Sequence, residues 1–162
     1  MILLLASGPS INDYPRADLE ALARDSWTMC VNDSTRHFPA RAVTSLDYAY
    51  IQRNADWLRA LRVPVVTRRW DCLRAAKLPM LELPNECVRD FPLSGAAAAW
   101  ICGRMGRIAQ ERVYCLGLDH EATGHFYAPS GPIPAEQAYP YGRHGVGVYD
   151  RLGVDIINLS AR

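Results

Sequence analysis

Hydrophobic residues come in short blocks along this chain, and the period of the blocks changes between turn residues. Ile2-Leu3-Leu4-Leu5-Ala6 is an apolar run closed by Ser7-Gly8-Pro9-Ser10. A run this short, bounded by turn residues and followed by a helical pattern, predicts a strand buried on both faces. Pro15 to Arg24 then sets Leu19, Leu22 and Ala23 on one face with Asp18 and Glu20 off it, as in an amphipathic helix with proline near its start. Trp27 to Val31 predicts a second strand, stopped by the side-chain acceptors of Asn32-Asp33-Ser34. Ala42 to Leu46 predicts a third strand, Asp47 to Leu61 a helix carrying Ile51, Trp57, Leu58 and Leu61, and Val63 to Thr67 a fourth strand.

From Arg68 to Pro92 the prolines at 79, 84 and 92 interrupt every period, leaving room for one short strand near Leu81 to Leu83. Ser94-Gly95 then precedes Ala96-Ala97-Ala98-Ala99-Trp100-Ile101-Cys102, a capped helix whose small residues allow close packing on a sheet, with Gly103 and Gly106 marking its end. Arg112 to Leu118 predicts a strand that closes on Gly117-Leu118-Asp119. Residues 120–141 hold no sustained period and read as a long functional loop. Arg143 to Leu152 predicts a short helix and Val154 to Leu159 a last strand. The alternation of strands and helices predicts one domain over residues 1–162, an α/β fold with a mostly parallel sheet and helices on both faces.

Composition narrows the function. With 162 residues, 49% of them hydrophobic, the chain is long enough for its own core. Its net charge of +1 creates no field that would recruit nucleic acid or an anionic membrane. The opening apolar run is too short for a signal-peptide core or a membrane span, so the expected location is cytoplasmic. Cys30, Cys72, Cys87, Cys102 and Cys115 are odd in number and form no C-x-x-C pair, which argues for buried small hydrophobes rather than zinc or disulfides.

In an open parallel sheet, ligands sit at the carboxyl ends of the strands where strand order reverses. The polar residues at predicted strand ends are therefore the candidates: Ser7, Gly8 and Ser10; Asn32; Asp47; Ser94 and Gly95; Gly117 and Asp119. The turn at residues 7–10 can offer N–H groups and hydroxyls to a phosphate, with Gly8 permitting close approach. It equally fits an ordinary strand-to-helix turn. It is no G-x-G-x-x-G fingerprint and carries no Walker lysine, so nicotinamide dinucleotides are disfavoured. Asn32 can pair with a ribose or base edge or simply hold a turn, and Ser94 can bind a ligand oxygen or cap its helix. His120, His125 and His144 fall in or beside the long loop with Tyr127, Tyr139 and Tyr141. Histidine can serve there as a general base and tyrosine as a donor to a leaving phosphate.

Ala6-Ser7-Gly8-Pro9-Ser10-Ile11, Cys30-Val31-Asn32, Leu93-Ser94-Gly95, Gly117-Leu118-Asp119 and Tyr141-Gly142-Arg143-His144, in that order, resemble the bacterial sialyltransferases of glycosyltransferase family 42. They also resemble a wider Rossmann-like group with phage-encoded members, to which archaeal hydroxymethylpterin pyrophosphokinases are similar. The resemblance implies a Rossmann-like fold and transfer from a CMP-sugar-type donor to a small-molecule or glycan acceptor. It places Gly8 and Ser10 beside phosphate or ribose, Asn32 and Ser94 beside nucleotide or phosphate, and Gly117 and Asp119 near the cytidine end. It makes Tyr127 the residue that steadies the departing phosphate and His144 the general base, without a metal. Glu121 stands where that family has a phosphate-binding tyrosine and Asp47 where it has asparagine, and such carboxylates suit Mg²⁺. An ATP- and Mg²⁺-dependent pyrophosphokinase-like enzyme is thus one alternative. A non-catalytic, virus-type module that sequesters a nucleotide is another, and a second copy of the chain is a further candidate partner.

Overall fold

The computed structural model describes residues 1–68, 77–85, 87, 94–118 and 156–160. Its strands are β1 (Ile2–Leu5), β2 (Trp27–Val31), β3 (Ala42–Thr44), β4 (Val65–Thr67), β5 (Met80–Glu82), β6 (Val113–Leu116) and β7 (Ile156–Asn158). Its α-helices are α1 (Arg16–Asp25), α2 (Tyr48–Arg53), α3 (Ala55–Leu61) and α4 (Ser94–Ala109). The strands join in one sheet of order β5-β4-β3-β2-β1-β6-β7, and each described pair is parallel.

Register explains the two cores. Leu116, Leu5, Cys30, Val43 and Val65 lie in one row across β6, β1, β2, β3 and β4. On that face Leu3, Leu5 and Cys30 pack with Leu19 and Ala23 of α1, while Val43 and Val65 pack with Tyr50, Ile51 and Leu58 of α2 and α3. The alternate row, Leu4 with Met29 and Ala42, packs with Ala96 to Ala99 and Cys102 of α4. Leu3, Leu4 and Leu5 are all wholly buried, as continuous apolar runs are when both sheet faces are covered. The result is a Rossmann-like α/β fold.

The chain progresses outward from β1 to β5 and then returns across the sheet to β6 on the other side of β1. A right-handed crossover places its helix according to the direction of travel, so α1, α2 and α3 share a face and α4 takes the opposite one.

Three local expectations change. The opening turn does not lead straight into a long helix: Pro9–Asp13 form a 3-10 turn, and α1 begins only at Arg16, after Pro15. The helix expected over 47–61 divides at Asn54, whose side-chain amide donates to the Tyr50 carbonyl at 2.8 Å and competes for a helical acceptor. Gly103 and Gly106 do not end α4. Both are buried within it, and a Cβ at Gly106 would collide with Val113 Cγ2 and stand 2.8 Å from the Glu111 carbonyl oxygen. Glycine is required there by helix-to-strand packing. The helix closes instead at Gln110, in left-handed backbone (φ 55°), with Glu111 N–H donating to Gly106 O at 2.8 Å. The short strand expected near Leu81 is β5, and the last strand is β7. The loop at 120–141 and the helix at 143–152 lie outside the described residues.

Cys30, Cys87, Cys102 and Cys115 are buried free thiols. Burial pushes Cys30 and Cys115 up from the ordinary 9.0 to about 12 and raises Cys102 as well. Because thiolate is the reactive form, these groups should be inert in the native state. In a Cys72→Ser variant, Ellman's reagent is expected to find no fast-reacting thiol until denaturant is added. A fast native thiol would contradict this packing. The sign of the accompanying pH effect is fixed: unfolded thiols ionise near pH 9 and the buried ones only near 12, so stability falls as pH rises above 9.

Candidate functional site at the carboxyl edge

Strand order reverses between β1 and β6, so the crevice rule points to the carboxyl ends of these two strands. There the two chain segments interlock. Gly8 N–H donates to Gly117 O at 2.8 Å. Gly117 N–H is shared between Ser160 Oγ at 2.8 Å and Ser10 Oγ at 3.2 Å. Gly117 has φ +78°, and a Cβ on it would stand 3.0 Å from both the Ala6 carbonyl carbon and Ile11 Cδ1. Only glycine meets both conditions. Gly8, by contrast, has φ −68° and is not selected for unusual backbone conformation.

Beyond β1 towards β2, the Ser7 hydroxyl donates to Val31 O at 3.4 Å. Ser34, which sequence reasoning did not single out, accepts from Val31 N–H at 2.9 Å and lies 2.8 Å from the Leu5 and Val31 carbonyls to which it can donate. It ties the end of β1 to the end of β2. Between them, Asn32 adopts φ 50°, and its side-chain carbonyl Oδ1 is buried with no hydrogen-bond partner among the described residues. Its backbone carbonyl is occupied by the Thr35 hydroxyl at 2.9 Å.

The third part of the edge joins β3, β4 and the start of α4. Ser94 is the first residue of α4, and its hydroxyl accepts the Leu46 N–H at 2.8 Å. The Leu46 carbonyl in turn accepts from Arg68 Nη2 at 2.9 Å. Both sides of one residue past β3 are therefore gripped, one by α4 and the other by the residue that follows β4. Gly95 lies half-buried in the first turn of α4. This 16-residue helix directs its positive N-terminal end to the carboxyl edge, and Arg68 adds a guanidinium beside it. Sequence reasoning missed Arg68, although its position right after the strand residue Thr67 is the same signal that selected Asn32. It also missed Ser160, just past β7. Asp47 is exposed and caps α2, accepting Tyr50 N–H at 3.1 Å.

Ser7, Gly8, Ser10, Asn32, Asp47, Ser94, Gly95 and Gly117 thus share the carboxyl edge, while Asp119, Tyr127, Tyr141 and His144 lie outside the described residues. Among the described residues no group of three or more His, Cys, Asp or Glu side chains is placed to hold a metal ion. No described helix is long and apolar enough to cross a membrane. An open groove of about 420 Å³, lined by Gly103, Gly106, Arg107, Gln110, Arg112 and Ile157 among others, belongs to the opposite, amino edge of the sheet. The edge chemistry is neutral to positive near the reversal, rich in hydroxyls and one amide, and suited to a phosphate-bearing polyhydroxyl ligand. Comparison with family models, with curated proteins and with solved structures finds no match, so the likeness to family 42 rests on the five short motifs alone.

Proposed function

We propose that the carboxyl edge binds a nucleotide or nucleotide-sugar and that the chain carries out a glycosyltransferase-like transfer from a CMP-sugar-type donor. The observation that carries the reading is the reversal of strand order at β1 and β6, with the α4 N-terminus delivered to the same edge. A nucleotide answers both halves of that chemistry: its phosphate complements the helix end and Arg68, and its ribose and base complement hydroxyls and amide. In this reading His144 takes the proton of the acceptor hydroxyl, Tyr127 donates to the departing phosphate, and no metal is needed.

The exposed Asp47 carboxylate favours a second reading, an ATP-dependent pyrophosphoryl transfer in which Mg²⁺ bridges phosphate and carboxylate. Thermal-shift measurements with CMP, ATP and CMP-sugars, with EDTA or Mg²⁺, separate the two. Stabilisation by cytidine nucleotides in EDTA is expected; stabilisation by ATP that vanishes with EDTA and returns with Mg²⁺ selects pyrophosphoryl transfer. Gly8→Val is expected to abolish the ligand-induced shift while the apo protein stays folded, since valine accepts φ −68°. An undiminished shift in that variant would remove the opening turn from the site.

A further inference from the structure

We infer that Asn32 reads the ribose of the bound nucleotide and makes this site selective for ribonucleotides over deoxyribonucleotides. The inference rests on the nucleotide reading of the carboxyl edge and assigns a ligand group to one atom in it. Two independent costs coincide at Asn32: left-handed backbone at φ 50°, and a buried carbonyl Oδ1 with no partner among the described residues.

A residue kept only to shape the turn would not carry both. Asparagine tolerates left-handed backbone because its side chain usually bonds locally or to water. Here the local hydroxyl of Thr35 goes to the backbone carbonyl instead, and the Ser7 and Ser34 hydroxyls are directed to main-chain carbonyls of β1 and β2. Coinciding strain and an unsatisfied buried acceptor are the marks of a group held ready for a ligand.

The chemistry of the missing partner follows. An amide carbonyl accepts, so the ligand group that completes it must donate; a phosphate oxygen only accepts. Asn32 follows β2, the strand beside β1, and in dinucleotide-binding sheets the acceptor that follows the opening Gly-rich turn by about 20 residues holds ribose hydroxyls. A neutral amide performs that task without repelling nearby phosphate, as a carboxylate would. As a residue Asn32 is only half-buried, and its terminal torsion is soft, so a small rotation presents the carbonyl to the crevice.

The test is calorimetric titration of the wild-type chain and of Asn32→Gly and Asn32→Asp with the four ribonucleoside monophosphates and their 2′-deoxy counterparts, beside apo melting curves. Wild type is expected to favour the ribo form by about tenfold or more, the range of one well-made hydrogen bond to a buried acceptor. Asn32→Gly keeps the backbone conformation, so it should bring the ratio to near one and raise the apo melting temperature. Asn32→Asp keeps an acceptor and should retain the preference while weakening ribo and deoxy forms alike. If wild type binds nucleotides without discriminating, or Asn32→Gly still discriminates, the inference is wrong and the nucleotide reading survives. If no nucleotide binds wild type at all, both fall.

Discussion

Gly117→Ala is expected to destabilise the fold by about 2–4 kcal/mol and to lower the melting temperature by roughly 10 °C. Left-handed backbone with a Cβ costs about 1–2 kcal/mol, and Gly117 sits at φ +78°. The new methyl would also press on the Ala6 carbonyl carbon and on Ile11 Cδ1, both 3.0 Å away. Ala6 extends the wholly buried central strand and Ile11 is 2% exposed, so neither has room to retreat, and forced overpacking adds about 1–3 kcal/mol. Reduced entropy of the unfolded chain returns less than about 1 kcal/mol. For a chain of this size each kcal/mol corresponds to roughly 2–4 °C. Urea denaturation and a melting curve measure the loss, and a melting temperature within a degree of wild type would show that the β1–β6 junction is looser than its geometry implies.

Gly117 and Gly8 illustrate what the sequence revealed. Both are strand-end glycines, exchange a hydrogen bond, and look alike as letters, yet only Gly117 needs glycine's backbone freedom. Torsion depends on how two distant segments meet, and no local pattern records it. The sheet itself was legible, because strands buried on both faces must be continuous apolar runs and β1, β2 and β6 are such runs. The direction of travel, and therefore the face taken by α4, was not, since it depends on which strand the chain returns to after β5. Gly103 and Gly106 were misread for a related reason. Glycine at a helix end and glycine at a helix–sheet contact are the same residue, and the difference lies in Val113, which arrives from the next element.

At the site, strand-end position located Ser7, Ser10, Asn32, Ser94 and Gly117 on one edge. It did not assign their tasks. Ser94 was read as a cap preceding its helix, yet it is the first residue within α4 and holds the end of β3 by accepting Leu46 N–H. Ser34 and Arg68 escaped notice because their partners, Leu5 and Leu46, are main-chain carbonyls that no side-chain motif can announce.

In the transferase reading, His144→Ala is expected to lower the transfer rate by about 10²- to 10⁴-fold with donor affinity little changed, the signature of a lost general base. An acceptor hydroxyl is a poor nucleophile until its proton is removed, whereas the donor is held by its phosphate and ribose at the carboxyl edge. Loss of the base therefore acts on the barrier and not on binding. The acid limb of the pH–rate profile should disappear in the same variant, because that limb reports protonation of the base. Tyr127→Phe should slow transfer by a separate route. Negative charge grows on the phosphate as the sugar departs, so a phenol hydrogen bond strengthens in the transition state and its removal raises the barrier. Gly117 and Leu118 close β6 at the carboxyl edge and lead directly into the segment that carries both residues, which connects their chemistry to the same end of the sheet. Assays of donor hydrolysis and transfer, run beside calorimetric binding, separate the two quantities. Full activity in both variants would remove His144 and Tyr127 from catalysis. A parent protein that binds its nucleotide tightly, turns none of it over and releases it unchanged would replace the transferase with a sequestering module, because the same edge chemistry that orients a donor for reaction also suffices to hold a nucleotide away from other enzymes.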